Sequence, residues 1–274
     1  MEINNKLAKV IIWFFFCILA FIILYPIYGI VTVALKSTSD YYTDPLGIPT
    51  VLYLENFKEA FQRSNMLVNF FNSIVYTFVS CGLGAILSLF IAYPLARKRV
   101  KYHNALYGLF TASLIMPPSL VPLYKIMQTL NLTNTYQGMI MFYMGTGIAF
   151  SVFVLTGFVK LIPKELDEAA EIDGCGYFRY ILKIVFPLSK SSIATVIMLN
   201  ALNVWNDFVY PYLFITKKNM RTLATGLYMF LGEYSNELTV FAAAVVIMAI
   251  PITIFYVTMQ KQITESLAKG AVKG

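Results

Sequence analysis

The fold class predicted by this sequence is an all-α membrane protein with six transmembrane helices, and three observations carry that reading. Hydrophobic residues make up 58% of the 274 and charged residues only 13%, whereas soluble domains hold about 45–50% and about 25%. Crossing ~30 Å of hydrocarbon takes roughly 20 apolar residues. Charge-free windows at least that long lie at 10–35, 68–96, 104–124, 126–159 and 238–260. A further window at 191–216 is interrupted only by Asp207. The same composition excludes a disordered chain and a basic nucleic-acid module, since both need charge and polarity.

The first window follows Lys6 and Lys9 and ends without a small-residue cleavage site, so it predicts an uncleaved span rather than a signal peptide. The fourth window is too long for one crossing. Its opening QTLNLTNTYQG is polar enough to turn, which leaves a helix over 137–159. Lys and Arg then set the orientation. The amino-terminal tail, the loops after spans two and four and the carboxyl tail hold 14 basic residues, against 7 in the remaining loops. Both termini and the RKRVK run from Arg97 to Lys101 are therefore expected on the cytoplasmic side. No repeat or linker divides the chain, and one membrane domain over 1–274 is expected. Cys17, Cys81 and Cys175 lack metal or disulfide spacing, and His103 stands in a basic loop. No metal site and no catalytic residue are predicted.

The cytoplasmic loop 161–190 has a chemistry of its own. Pro163 suits a first helical turn, and Glu165, Asp167 and Glu168 place negative charge at the positive helix end. Ala169 and Ala170 keep the surface small, and Gly174 and Gly176 let the chain turn. A second helix from Tyr177 is expected to put Phe178, Ile181, Leu182 and Val185 on one apolar side before Pro187 stops it. From composition alone the segment reads equally as a helix–turn–helix presented to a partner and as an acidic interfacial linker.

Glu168-Ala169-Ala170, then Asp173-Gly174, then Ile184 and Pro187-Leu188 resemble the EAA motif of ATP-binding-cassette (ABC) importer permeases. Phe186 stands where that family usually has Leu. Trp205-Asn206-Asp207-Phe208 and the tail from Ala268 to Gly274 are similar to the smaller, MalG-like subunit of maltose-type carbohydrate importers. The resemblance implies the type I importer fold in a prokaryotic cytoplasmic (inner) membrane. It also implies a coupling helix, with Glu168, Ala169, Ala170, Asp173 and Gly174 seated in a separate ATPase. Its implied partners are a larger, MalF-like permease, two ATPase subunits carrying ATP and Mg, an extracytoplasmic substrate-binding protein and membrane lipid. No cofactor is expected on this chain, which lacks the Gly-Lys dipeptide of a phosphate-binding loop. In the family the outer loop 217–237, with Met220, Leu223, Leu227, Met229, Phe230 and Leu231, reaches toward the binding protein. The loop 36–67, with Tyr41, Tyr42, Pro45 and Pro49, reads equally as a docking element and as a surface cap. Lys269 and Lys273 in the tail suit either the ATPase pair or anionic lipid.

A route for solute predicts polar groups on helix faces that avoid lipid. Span five offers Asn200, Asn203, Asn206, Asp207 and Tyr210, and span two offers Asn69, Asn72, Ser73, Tyr76 and Ser80. Amides, hydroxyls and aromatic faces suit a neutral polyol, although the same groups also join helices to one another. Asp207, the one acid within a span, costs about 2.5–3.5 kcal/mol at a bilayer centre and is expected to be structural or to line a gate. Pro117, Pro118, Pro122 and Pro251, with Gly138, Gly145, Gly147 and Gly157, predict bends or close packing. A polyamine or anion permease, an ion-driven secondary transporter and a membrane enzyme are the competing readings. Polyamine carriage needs several path acids, a secondary transporter paired intramembrane charges, and a membrane enzyme a His, Asp or Cys cluster.

Overall fold

A computed structural model describes residues 6–63, 65–116, 119–233 and 237–271. Every regular element among them is helical. The chain divides into two compact units, one formed by residues up to 66 with 226–250 and the other by 67–225 with 251–274.

The first unit opens with α1 (Lys6–Ala34), which is apolar on every side and exposed along most of its length. A helix without a polar face belongs in lipid or protein rather than water. Its end is capped from a distance: buried Asn56, on α3 (Glu55–Arg63), donates to the Ala34 carbonyl at 2.9 Å and the Lys36 carbonyl at 2.7 Å. Lys36 is itself buried and donates to the Asp44 carbonyl. Between these, Ser37 starts α2 (Thr38–Thr43) by accepting from the Asp40 amide at 3.2 Å. The loop 36–67 is thus folded onto its own backbone.

In the second unit, α4 runs over Met66–Ala96 with a π-turn at Val75–Val79. The third predicted span is not one helix. It is α5 (His103–Ser113) and α6 (Leu120–Thr129), each rising about 15–17 Å and so reaching half-way across hydrocarbon. The break brackets Pro117 and Pro118, which lie outside the described residues; neither proline has an N–H to continue a helix. Asn131 and Asn134 take positive φ of 54° and 56° in the expected polar turn, a conformation Asn tolerates. Thr135 then accepts from the Gly138 amide at 3.0 Å and starts α7 (Tyr136–Val159), one residue before the position predicted.

After α8 (Glu165–Ile172) and α9 (Tyr177–Leu188), the chain bends by 83° into α10 (Lys190–Asn206). The fifth predicted span also breaks. Asp207 ends α10, and α11 covers only Val209–Phe214. A 3₁₀ turn (Lys218–Met220) and α12 (Leu223–Glu233) lead to α13 (Leu238–Ala271), which continues well past the predicted 260; its apolar part is Leu238–Thr258. Four described helices are long and apolar enough to cross a membrane, or five if α9 and α10 form one broken span.

Two apolar clusters hold the second unit. Ala85, Leu89 and Tyr93 of α4 pack with Leu155 and Val159 of α7, with Ala170, Tyr180, Ile181 and Val185 of the loop, and with Ile193 and Val196 of α10. Toward the other end of α4, Tyr76 and Cys81 join Met139, Phe142 and Tyr143 of α7, Ala201 and Val204 of α10, and Phe214. Helix and turn approach closely at Gly138, where an added Cβ would lie 1.9 Å from the Leu132 carbonyl oxygen. Gly138→Ala is therefore expected to destabilise the α6–α7 connection by about 1–3 kcal/mol, as overpacking does. Gly108, with open space around it, should accept alanine within about 0.5 kcal/mol. Thermal unfolding of the detergent-solubilised variants checks both.

Candidate functional site

Helix α8 carries three of its four acids, Glu165, Asp167 and Glu168, in the first turn, where the helix dipole favours them. Pro163 sits one residue ahead of the Lys164 N-cap, just outside the first turn where the sequence placed it. The helix stops in a complete Schellman arrangement: the Gly174 amide donates to the Glu171 carbonyl at 3.1 Å, and the Cys175 amide to that of Ala170 at 2.8 Å. Gly174 has φ +67°, and no atom lies within 4 Å of an added Cβ. Backbone conformation, not space, requires glycine there.

One edge of this hairpin is open and the other is locked. Glu168, Ala169, Asp173 and Gly174 are exposed, and Ile172 reaches 87% exposure. Ala170 faces inward and belongs to the apolar cluster, so its side chain is withdrawn from any docking edge. Helix α9 also departs from its predicted face. Ile181 and Val185 are buried with Tyr180, while Phe178 and Leu182 point outward. Pro187 does not stop the helix, which continues to Leu188 beyond a π-turn at Ile181–Val185.

Asp167 does more than complement the dipole. Its Oδ2 lies 2.6 Å from Nε of Arg97, with both side chains under 10% exposed. The approach is oblique and leaves Nε without an acceptor at a hydrogen-bonding angle, so the attraction is charge on charge. Tyr180 donates its hydroxyl to Asp167 Oδ1, and Tyr93 donates to the same oxygen at 3.3 Å. Burial first, then the bond to and charge of Asp167, push the Tyr180 hydroxyl above its ordinary pKa and keep it a donor. Arg97 Nη2 also donates to the Ile162 carbonyl at 2.9 Å, Arg99 pairs with Glu171, and Tyr177 donates to the Phe90 carbonyl at 2.6 Å. The sequence marked Arg97 only as a topological signal. Nothing in its spacing pointed to a residue 70 positions away.

The second constellation is a cavity of about 230 Å³ between α7, α10 and α11. Asn203, Asp207 and Tyr210 line it together with Asn200. Phe142, Tyr143, Thr146 and Gly147 of α7 and Val204 of α10 complete the wall, and of these the sequence singles out only Gly147, as a packing position. Gly147 lets Asn200 come close, since an added Cβ would meet its Oδ1 at 3.1 Å. Asn200 in turn donates to Ser151 Oγ at 3.0 Å. Asp207 Oδ1 accepts from the Val209 and Tyr210 amides at 2.9 and 3.4 Å, and Oδ2 from the Tyr143 hydroxyl at 3.0 Å. It caps α11, ties α7 to it and lines the cavity at once.

Asn72 and Tyr76 do not reach this cavity. Both are fully buried. Asn72 Nδ2 donates to the Asn219 and Arg221 carbonyls at 3.0 and 2.9 Å and its Oδ1 accepts from Tyr136, while Tyr76 donates to the Met220 carbonyl at 3.0 Å. Ser73 Oγ accepts from the Leu223 amide at 2.8 Å. Asn72, Ser73 and Tyr76 of the span-two stripe clamp residues 219–223, while Ser80 donates to carbonyls of its own helix. Asn206 is exposed and donates to the Leu202 carbonyl of its own helix, away from the cavity. Met220 and Leu223 are buried rather than offered to a partner. The side chains of Met229, Phe230, Leu231, Lys269 and Lys273 lie outside the described residues.

Removing one partner of a buried ion pair strands the other charge. Arg97→Gln or Asp167→Asn alone should therefore cost about 3 kcal/mol. Arg97→Met with Asp167→Leu should cost less than either single change, read by thermal unfolding.

The chain matches the binding-protein-dependent transport system inner membrane component family over residues 5–269. It is 34% identical to the melibiose/raffinose/stachyose import permease MelC of Bacillus subtilis, covering 91% of each chain. It is likewise 34% identical to the multiple sugar-binding transport system permease MsmG of Streptococcus mutans, covering 92% of each. With the sulfoquinovosyl glycerol permease SmoH of Agrobacterium fabrum it shares 31% identity over 92% of this chain and 89% of that one. Its fold is that of a chain in a bacterial ABC transporter importing the acidic polysaccharide alginate, with a TM-score of 0.83 at 20% identity over 95% and 98% of the two chains. The open hairpin and the cavity thus sit on a known transport scaffold, and the chain belongs to the binding-protein-dependent inner membrane components, the permease subunits of ABC importers.

Proposed function

We propose that this chain is the smaller permease subunit of an importer that carries an uncharged oligosaccharide into the cytoplasm. In this reading it crosses the membrane six times, with α5–α6 and α10–α11 as broken crossings and both termini cytoplasmic. A larger permease, two ATPase subunits holding ATP and Mg, and an extracytoplasmic binding protein complete the complex. Energy enters where the exposed Glu168, Ala169, Asp173 and Gly174 edge seats in an ATPase.

The observation that carries the substrate reading is the cavity lining. Amides from Asn200 and Asn203, the Thr146 hydroxyl and the faces of Phe142 and Tyr210 offer hydrogen bonds and apolar contact. Sugar rings present both kinds of surface. No Lys or Arg is among the nine lining residues, which disfavours the anionic sugars named for some relatives, and one acid already engaged by three donors disfavours a polyamine.

Uptake of labelled neutral oligosaccharides by the reconstituted complex should require ATP and the binding protein; uptake by this chain alone in vesicles would refute the reading. Gly174→Val should insert normally yet lose uptake, because a β-branched residue at positive φ costs about 1–2 kcal/mol and distorts the docking edge. Gly174→Asn should retain uptake. Asn caps helices as well as Asp does, so Asp207→Asn should keep uptake within about threefold. A proton-relay role would instead abolish it and move the pH profile.

A further inference from the structure

The chain connects the hairpin of α8 and α9 only to α7 and α10. Its side chains connect it to a third helix. Arg97 and Arg99, just past the end of α4, hold Asp167, Glu171 and the Ile162 carbonyl. Tyr93 of α4 donates to Asp167, and the Phe90 carbonyl accepts from Tyr177. These contacts grip the hairpin at its entry, on α8 and at the start of α9. The rings of Tyr93, Tyr177 and Tyr180 fill the space between, with centroids of Tyr93 at 5.9 and 5.4 Å from the other two.

The far end of the same helix makes a second grip. Asn72, Ser73 and Tyr76 bind the backbone of residues 219–223 through four hydrogen bonds. The 25 residues from Asn72 to Arg97 span about 38 Å of helix. The helical run Met66–Ala96 continues through its π-turn and Pro94, and an unbroken element held at both ends by buried polar contacts has few ways to move one end without the other.

We infer that α4 is a tie-rod, with the Arg97–Asp167 pair as its inner fastening and Asn72 with Tyr76 as its outer one. Through it, the outer segment 219–223 and the hairpin beneath the ATPase change position together. A binding protein that shifts the outer segment would thereby bias the ATPase site, and nucleotide closure would shift the outer segment in return, since coupling between sites is reciprocal. This rests on the coupling role proposed above for the hairpin. Arg97, Asn72 and Tyr76 act in it as positioning residues.

The test uses the full complex of both permeases, the ATPase subunits and the binding protein in lipid nanodiscs. Stimulation of ATP hydrolysis by the binding protein is the first readout. Arg97→Gln should lower the stimulation ratio about tenfold, and Asn72→Leu with Tyr76→Phe should do the same. Combining the two sets should give no further loss, because fastenings in series fail together. Multiplicative losses, or an unchanged ratio in either set, would overturn the inference. Variants that fail to assemble leave the second readout, on an otherwise intact complex with Cys17, Cys81 and Cys175 replaced by serine. Spin labels at Leu87→Cys on α4 and Ile172→Cys on the hairpin should keep one distance with and without trapped nucleotide. A change of about one helical turn, about 5 Å, would show the hairpin moving independently of α4. An original complex whose hydrolysis ignores the binding protein, while that distance holds, would instead remove the coupling role and the relay with it.

Discussion

A carboxylate and a guanidinium, each under 10% exposed and 2.6 Å apart, set the position of the α8–α9 hairpin. Buried charges are expensive to leave unpaired, so wherever α4 ends, Asp167 must follow. The cost of separation makes this contact a constraint on geometry more than a source of net stability. Around it the secondary contacts become intelligible. Tyr93 and Tyr180 supply hydroxyl donors to the same oxygen, and Arg97 Nη2 donates to the Ile162 carbonyl, just past the end of α7. The exposed edge of the hairpin can be small because its back is held.

The opposite end of α4 and the segments packed near it obey the same rule with neutral groups. Where the chain leaves regular helix, its amides and carbonyls need partners. Asn72, Ser73 and Tyr76 serve residues 219–223, Asn134 serves the amides of Thr216 and Lys217, and Asp207 serves those of Val209 and Tyr210. Asn72, Ser73, Tyr76 and Asp207 thus answer breaks in secondary structure, whereas Asn200 bonds Ser151 and Asn206 a carbonyl of its own helix. Asp207 and the two asparagines 200 and 203 remain at the cavity because α10 ends beside α7, where Gly147 leaves room for Asn200.

This division explains which expectations held. A polar stripe on a helix has the same appearance whether it faces solute or another segment's backbone. Span two and span five were alike in sequence, and they separated only when residues 219–223 were seen lying against α4. The apolar side of α9 was misplaced for a related reason. A π-turn at Ile181–Val185 shifts the helical phase, so Tyr180 turns inward and Phe178 outward. Asp167 looked like one of three dipole-complementing acids, and its burial depends on an arginine distant in the chain.

What the sequence determined by itself was the medium, the helical class, most of the long apolar helices and the acidic hairpin with its glycine stop. These follow from composition and from contacts within a few residues, such as the Schellman closure at Gly174. Tertiary structure alone decided that two of the expected crossings are broken, which polar residues meet the cavity, and that Arg97 holds Asp167. Those outcomes depend on pairings between residues tens to more than a hundred positions apart, and no local periodicity encodes which distant backbone or charge a buried polar group will find.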